Sequence, residues 1–138
     1  MTTIELKGRE IPLLFTVWEM KAVQEEIGPL SRVISLTLGR NPEDEDDTSG
    51  YGGAEHLGTV AKMIRIMGNA GLEEADQPAD LTEKKILRAI KPIELAGIVG
   101  KCMDAMNEGL QSEIPQKEKT GPVDVVLEEI EKKKETAG

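Results

Sequence analysis

At 138 residues, with a formal net charge of -9, the chain fits a single domain of ordinary size. Nucleic acids and anionic membranes are not expected partners, because gripping phosphates needs an excess of Lys and Arg to release counterions. The single cysteine, Cys102, excludes an intramolecular disulfide, and the three aromatic residues, Phe15, Trp18 and Tyr51, leave most of the core to Leu, Ile, Val, Met and Ala.

The opening residues Met1-Thr2-Thr3-Ile4-Glu5 lack the charged and apolar regions of a signal peptide. No run approaches the roughly 18 apolar residues of a membrane span, so the expected location is the cytoplasm. Ile4 and Leu6, then Lys7-Gly8-Arg9-Glu10, then Ile11, Leu13 and Phe15 alternate around a polar turn. That pattern predicts a β-hairpin whose second strand is confined to an edge by Pro12. An isolated hairpin is marginal in water, so it must pack on the next segment of the chain.

Thr16-Val17-Trp18-Glu19 has the form of a capping box, with the Thr hydroxyl accepting from an amide of the first turn and the Glu carboxylate reaching back. The helix it opens carries Met20, Val23 and Ile27 on one stripe and ends at Gly28-Pro29. A second helix is predicted from about Pro29 to Leu38, with Leu30, Val33, Ile34 and Leu38 inward and Gly39 as its stop.

Residues 40–53 pass through an acidic run, Glu43 to Asp47, into Thr48-Ser49-Gly50-Tyr51-Gly52-Gly53. They hold too little apolar surface to offset the entropy of ordering, and a mobile loop is expected. From Ala54 to about Asn69, the spacing of Leu57, Val60, Ala61, Ile64 and Met67 predicts an amphipathic helix, with Gly71 near its end. After the polar link Glu73 to Asp80, Thr82 should cap a short helix carrying Ile86, Leu87 and Ile90.

Pro92 should break that helix and open the longest one, about Pro92 to Gln111, with Leu95, Ile98, Val99, Cys102, Met106 and Leu110 on one face. Gly97 and Gly100 within it cost about 1 kcal/mol each against Ala, which predicts close approach of a neighbouring helix. Residues 115–121 form a linker by composition. Beyond it Val123, Val126, Leu127 and Ile130 repeat at helical spacing. A helix of roughly a dozen residues is marginal alone, so these four residues are assigned to partner docking or self-association.

Reaction chemistry finds little to stand on. Taken from Asp44, a calcium-loop frame places Asp46, Thr48 and Glu55 at ligand positions, but Ser49 sits where the sharp turn needs glycine and Tyr51 where an aliphatic belongs. The run reads as a solvated acidic loop. His56 and Cys102 are each the only residue of their kind, too few for structural zinc. As a nucleophile and base they would have to meet across two helices, and Cys102 lies on an apolar stripe, which reads as a buried inert thiol.

Gly68-Asn69-Ala70-Gly71 follows a helix and lacks the Lys-Ser/Thr sequel of a phosphate loop. Gly50-Tyr51-Gly52-Gly53 precedes a helix, whose N-terminus could hold an anion, but the acids before it would repel one. Met20, Met63, Met67, Met103 and Met106 fall on or beside helix faces and read as core filling rather than an adaptable groove. No catalytic, cofactor-binding or metal residue is assigned, and no cofactor is expected.

The opening Ile4-Glu5-Leu6-Lys7-Gly8-Arg9-Glu10-Ile11-Pro12-Leu13-Leu14-Phe15-Thr16, followed by Glu25-Glu26-Ile27-Gly28, resembles the start of tail assembly chaperones of long-tailed bacteriophages, prophages and gene transfer agents. The Leu81-Thr82 helix with Ile90-Lys91-Pro92, and the longer helix ending Asn107-Glu108-Gly109-Leu110, are similar as well, so the likeness spans roughly residues 3–111. The acidic loop, residues 43–47, has no counterpart in that pattern.

The resemblance implies a non-enzymatic protein of the bacterial host cytoplasm that coats the tape-measure protein, recruits the major tail-tube protein and is absent from the finished particle. It also implies a second, longer product made by frameshifting. The expected architecture is mainly α, with an N-terminal β-hairpin packed on a helical bundle (residues 1–114) and a linker with a C-terminal amphipathic helix (residues 115–138). Two other functions stay open: a helical adaptor for a host or regulatory protein, and a calcium-responsive module.

Overall fold

The structure is a computed structural model that describes residues 1–111. It is mainly helical. Five helices, α1 (Val17–Glu26), α2 (Leu30–Thr37), α3 (Ala54–Glu74), α4 (Glu83–Ala89) and α5 (Leu95–Gln111), form a bundle, and a two-stranded antiparallel hairpin, β1 (Thr3–Leu6) and β2 (Arg9–Pro12), packs on it through α3 and α5.

The hairpin pairs Thr3 with Pro12, Ile4 with Ile11, Glu5 with Glu10 and Leu6 with Arg9. Only Lys7 and Gly8 lie between the strands, and both have positive φ, 50° and 78°, as in the tight turns whose twist matches a hairpin. The turn is thus shorter than the polar stretch suggested, and Arg9 and Glu10 belong to β2. Ile4, Leu6 and Ile11 face the core while Glu5 and Glu10 face solvent, the alternation that period-two side chains require.

At the start of α1 the Glu19 carboxylate accepts from the Thr16 N–H at 2.8 Å and from the Thr16 hydroxyl at 2.5 Å. The carboxylate arm of the expected capping box therefore closes, with the hydroxyl turned toward it as a donor. α2 stops as anticipated at Gly39 (φ 76°), where the Gly39 N–H bonds to Leu36 O at 3.1 Å and the Arg40 N–H to Ser35 O at 2.9 Å.

α3 runs to Glu74, beyond the expected end near Asn69. The residue that ends it is Asp76, in the left-handed region at φ 57°, with Gln77 N–H bonded back to Leu72 O at 2.8 Å. Gly71 is interior to the helix because the chain after the hairpin crosses it there. A Cβ on Gly71 would lie 1.9 Å from the Pro12 carbonyl oxygen, and one on Gly109 of α5 would lie 2.0 Å from the Phe15 carbonyl oxygen. Residues 12–15 are therefore clamped between α3 and α5, with the Leu14 N–H donating to Met67 O at 3.0 Å.

The close approach expected at Gly97 and Gly100 does not occur: nothing lies within 4 Å of where their Cβ atoms would be. α5 turns Leu95, Val99, Cys102, Ala105 and Met106 inward, which leaves Gly97 and Gly100 on its outer face.

α3 is the central post, packed against α1, α2, α4, α5 and β2. Val60, Met63, Ile64, Met67 and Leu72 are buried along it. Met63, Met67 and Met106 are buried in the core, and Met20 and Met103 pack against it, so these five methionines fill the interior. Two side chains of α3 fix its neighbours: Arg65 pairs with Glu26 of α1 and, at 3.5 Å, with Glu83 of α4, while Asn69 accepts from Leu81 N at 3.0 Å and donates to Leu81 O at 3.2 Å.

Thr82 caps α4 through the Lys85 N–H at 3.2 Å; Ile86 is buried, whereas Leu87 faces out. Pro92 opens a single 3-10 turn (Pro92–Glu94) that leads into α5, with the Lys91 N–H donating to Glu94 at 2.8 Å.

A candidate protein-binding groove

Val17 and Trp18 begin α1 on the side away from its buried face. Trp18 precedes Val23 by five residues, about 140° around a helix of 3.6 residues per turn. They are 75 % and 73 % exposed, and Met1 beside them is 69 % exposed. These three side chains rim a groove of about 840 Å³ whose floor is Leu13, Phe15 and Ala105 and whose far wall is Glu108 and Gln111 of α5.

The clamped segment builds this floor. Gly109 lets the Phe15 backbone lie directly on α5, and Leu13 and Phe15, at alternate positions, both turn inward beneath the rim. The wall acid is compensated locally: Glu108 accepts the Thr2 N–H at 2.9 Å and lies 3.9 Å from the Met1 ammonium. Lys21 sits one turn beyond Trp18 with Nζ 5.5 Å from the ring centre, which orients the indole without covering it. The surface offered is indole, thioether and aliphatic, with charge only at its edges, and it suits apolar side chains presented by another helix.

His56 and Cys102 do not form a reactive pair. His56 is buried, its Nδ1 accepts the Gly52 N–H at 2.9 Å, and its Nε2 therefore carries the proton and donates to Thr37 O at 2.9 Å. Both ring nitrogens are engaged with backbone, so neither is left for a thiol. Cys102 is fully buried, and burial pushes its thiol up from 9.0 to about 12.

Each unit of that rise removes a factor of ten in thiolate. A disulfide reagent at mildly alkaline pH is accordingly expected to modify native Cys102 about a thousandfold more slowly than the denatured chain. Colorimetric thiol titration with and without denaturant checks this, and equal rates would contradict the burial.

The acidic loop is exposed, as its composition suggested, and carries a succession of hydrogen-bonded turns. Asp44 N–H bonds to Asn41 O, Asp47 N–H to Asp44 O, and Tyr51 N–H to Thr48 O, at 2.9 to 3.1 Å. Its carboxylates cap these turns. Asp44 accepts from Asp46 N–H, and Asp47 accepts from both the amide and the hydroxyl of Ser49, which together with Asn41 hold the Asp47 carboxyl below the usual carboxylate range. Low apolar content was a sound guide to the loop's exposure, but it left out the side-chain-to-backbone bonds that short acidic residues make.

Val123, Val126, Leu127 and Ile130, the residues assigned to partner docking, lie outside the described residues, as does the whole of 115–138. The groove was not anticipated from sequence, although a signal was present: Val17 and Trp18 are large apolar residues off the Met20, Val23, Ile27 stripe. Among the described residues no helix is long and apolar enough to cross a membrane, and no group of three or more His, Cys, Asp or Glu is placed to hold a metal ion. Comparison with known protein families, with curated proteins and with solved structures found no match.

Proposed function

We propose that this protein is a non-enzymatic tail assembly chaperone that holds apolar helical stretches of a tape-measure protein and helps recruit tail-tube subunits to it. The observation that carries the reading is the exposure of Met1, Val17 and Trp18 around an apolar floor. A chain with one tryptophan that leaves it 73 % exposed gains by covering it with a partner, and tryptophan is the residue most often found at the energetic centre of an interface. A long helical client multiplies such contacts, so each can be weak, while net charge of -9 keeps a coated assembly soluble. The likeness of residues 3–111 to the chaperone family supplies the identity of the client.

Co-expression with a tape-measure protein encoded beside this chain is expected to yield a soluble complex. Trp18→Ala should weaken that complex about thirtyfold, the effect of an interface tryptophan contributing about 2 kcal/mol, without altering the fold. An insoluble tape-measure protein in the presence of the intact chain would sink the chaperone reading. A soluble complex indifferent to Trp18 would move the contact off this groove.

A further inference from the structure

We propose that the outer edge of β1, with the hollow beside it, is a face on which a second copy of this chain docks by strand pairing. The hydrogen-bonding parity of the hairpin decides which groups that edge offers. The Leu13 N–H donates to Thr2 O at 2.9 Å, so in the register of Ile4 with Ile11 and Leu6 with Arg9 the even-numbered residues of β1 turn their N–H and C=O toward β2. Thr3 and Glu5 turn theirs away, and among the described residues no backbone group meets them. An open edge of this kind is a template for another strand.

The edges of the hairpin are not alike. On β2 the outward positions are Glu10 and Pro12; proline has no N–H to offer, and the Pro12 carbonyl lies against Gly71 of α3. β1 has no proline, and its edge opens on a hollow of about 350 Å³ whose lining includes Thr3, Ile4, Glu5, Ile93, Gly97 and Lys101. Ile93 is 90 % exposed, and nothing lies within 4 Å of where a Cβ on Gly97 would be. A strand edge, an uncovered isoleucine and an open glycine thus share one surface near the N-terminal end of α5, whereas the Trp18 groove lies at its C-terminal end.

The edge fits its own copy. Antiparallel strands exchange hydrogen bonds between directly opposed residues whose N–H and C=O both point across the gap. A two-fold axis at Ile4 sets Thr3 against the second copy's Glu5 and Glu5 against the second copy's Thr3, so every outward group of β1 finds a partner. Sliding the register one way sets Glu5 against Glu5, like charges directly opposed, and sliding it the other way carries Glu5 past the start of the strand. The rim of the hollow carries both signs, Glu5 and Glu94 with Lys101, and Lys101 makes no ion pair among the described residues. Charges of both signs can be matched by the same surface turned about a two-fold axis, while net charge of -9 over the whole chain keeps the contact weak. Pairing in this way leaves the Trp18 groove of each copy open and needs no client, so it holds or fails independently of the proposed function.

Sedimentation velocity of the full-length chain, from about 1 to 500 μM, is expected to show a reversible monomer–dimer equilibrium with Kd of roughly 10–100 μM, the strength of a small transient interface. Ile93→Asp, at an exposed position, and Thr3→Pro, which removes an outward N–H, should each weaken it about tenfold with unchanged circular dichroism. Trp18→Ala should leave it as it was. In hydrogen exchange followed by NMR, the Thr3 and Glu5 amides should slow at high protein concentration while the Glu10 amide does not. A chain that stays monomeric at the highest concentration overturns the proposal and leaves the hollow to a different polypeptide. Association that survives Ile93→Asp, or that is lost in Trp18→Ala, overturns it by placing the contact on another surface. Association without slower exchange at Glu5 overturns the strand pairing.

Discussion

Gly71→Ala is expected to lower the free energy of unfolding by about 3 kcal/mol, while Gly100→Ala raises it by about 1 kcal/mol. Both glycines lie inside helices, where propensity alone favours alanine. The difference comes from what each would touch. At Gly71 the added methyl meets the Pro12 carbonyl oxygen at 1.9 Å, a backbone atom that can retreat only if the hairpin lifts off α3. At Gly100 the space is open to 4 Å and beyond. For a domain of this size the first change should cost about 15 °C in Tm and the second should add about 5 °C. Thermal unfolding followed by circular dichroism measures both, and a stabilised Gly71→Ala protein would show that the hairpin does not cross α3 as described.

His56→Ala should cost about 3 kcal/mol and leave client binding intact. The substitution strands the Thr37 carbonyl, at a fully buried residue, which costs about 1–3 kcal/mol when left without a partner away from water, and frees the Gly52 N–H of the exposed loop. It also removes the Tyr51 ring's neighbour, whose centroid lies 4.7 Å from the imidazole. Nothing on the groove is changed, because His56 fastens the loop to the ends of α2 and α3 and does not line the Trp18 surface. Denaturant unfolding read beside a client pull-down separates the two effects. A loss of binding at unchanged stability would place His56 in recognition instead.

Most of the helical framework could be read from residues that punctuate it. Thr16 with Glu19, Gly28-Pro29, Gly39, Thr82 and Pro92 act through bonds or φ angles confined to a few neighbours, so they declare themselves in the chain. The glycines show where such reading ends. Within a helix, Gly71, Gly97, Gly100 and Gly109 carry the same propensity cost, and only the path of a segment some sixty to ninety residues away decides which of them is a contact. His56 is similar: a lone imidazole suggests chemistry until its two nitrogens are seen to close a loop. The groove escaped notice because attention to buried stripes passes over the side chains that leave them, and Val17 and Trp18 are large for residues with no interior role.

The clamped strand of residues 12–15 has a bearing on how the polypeptide matures at the ribosome. Its two walls are synthesised long after it: Gly71 must emerge before the α3 face of the segment is covered and Gly109 before the α5 face, and the amide of Thr2 finds its acceptor only with Glu108 of α5. At about 5–20 residues per second the N-terminal arm waits some 5–20 seconds before Phe15 meets Gly109 of α5. A nascent chain stalled before α5 therefore keeps one face of residues 12–15 uncovered, and is more open to aggregation and proteolysis than one in which Gly109 has reached Phe15.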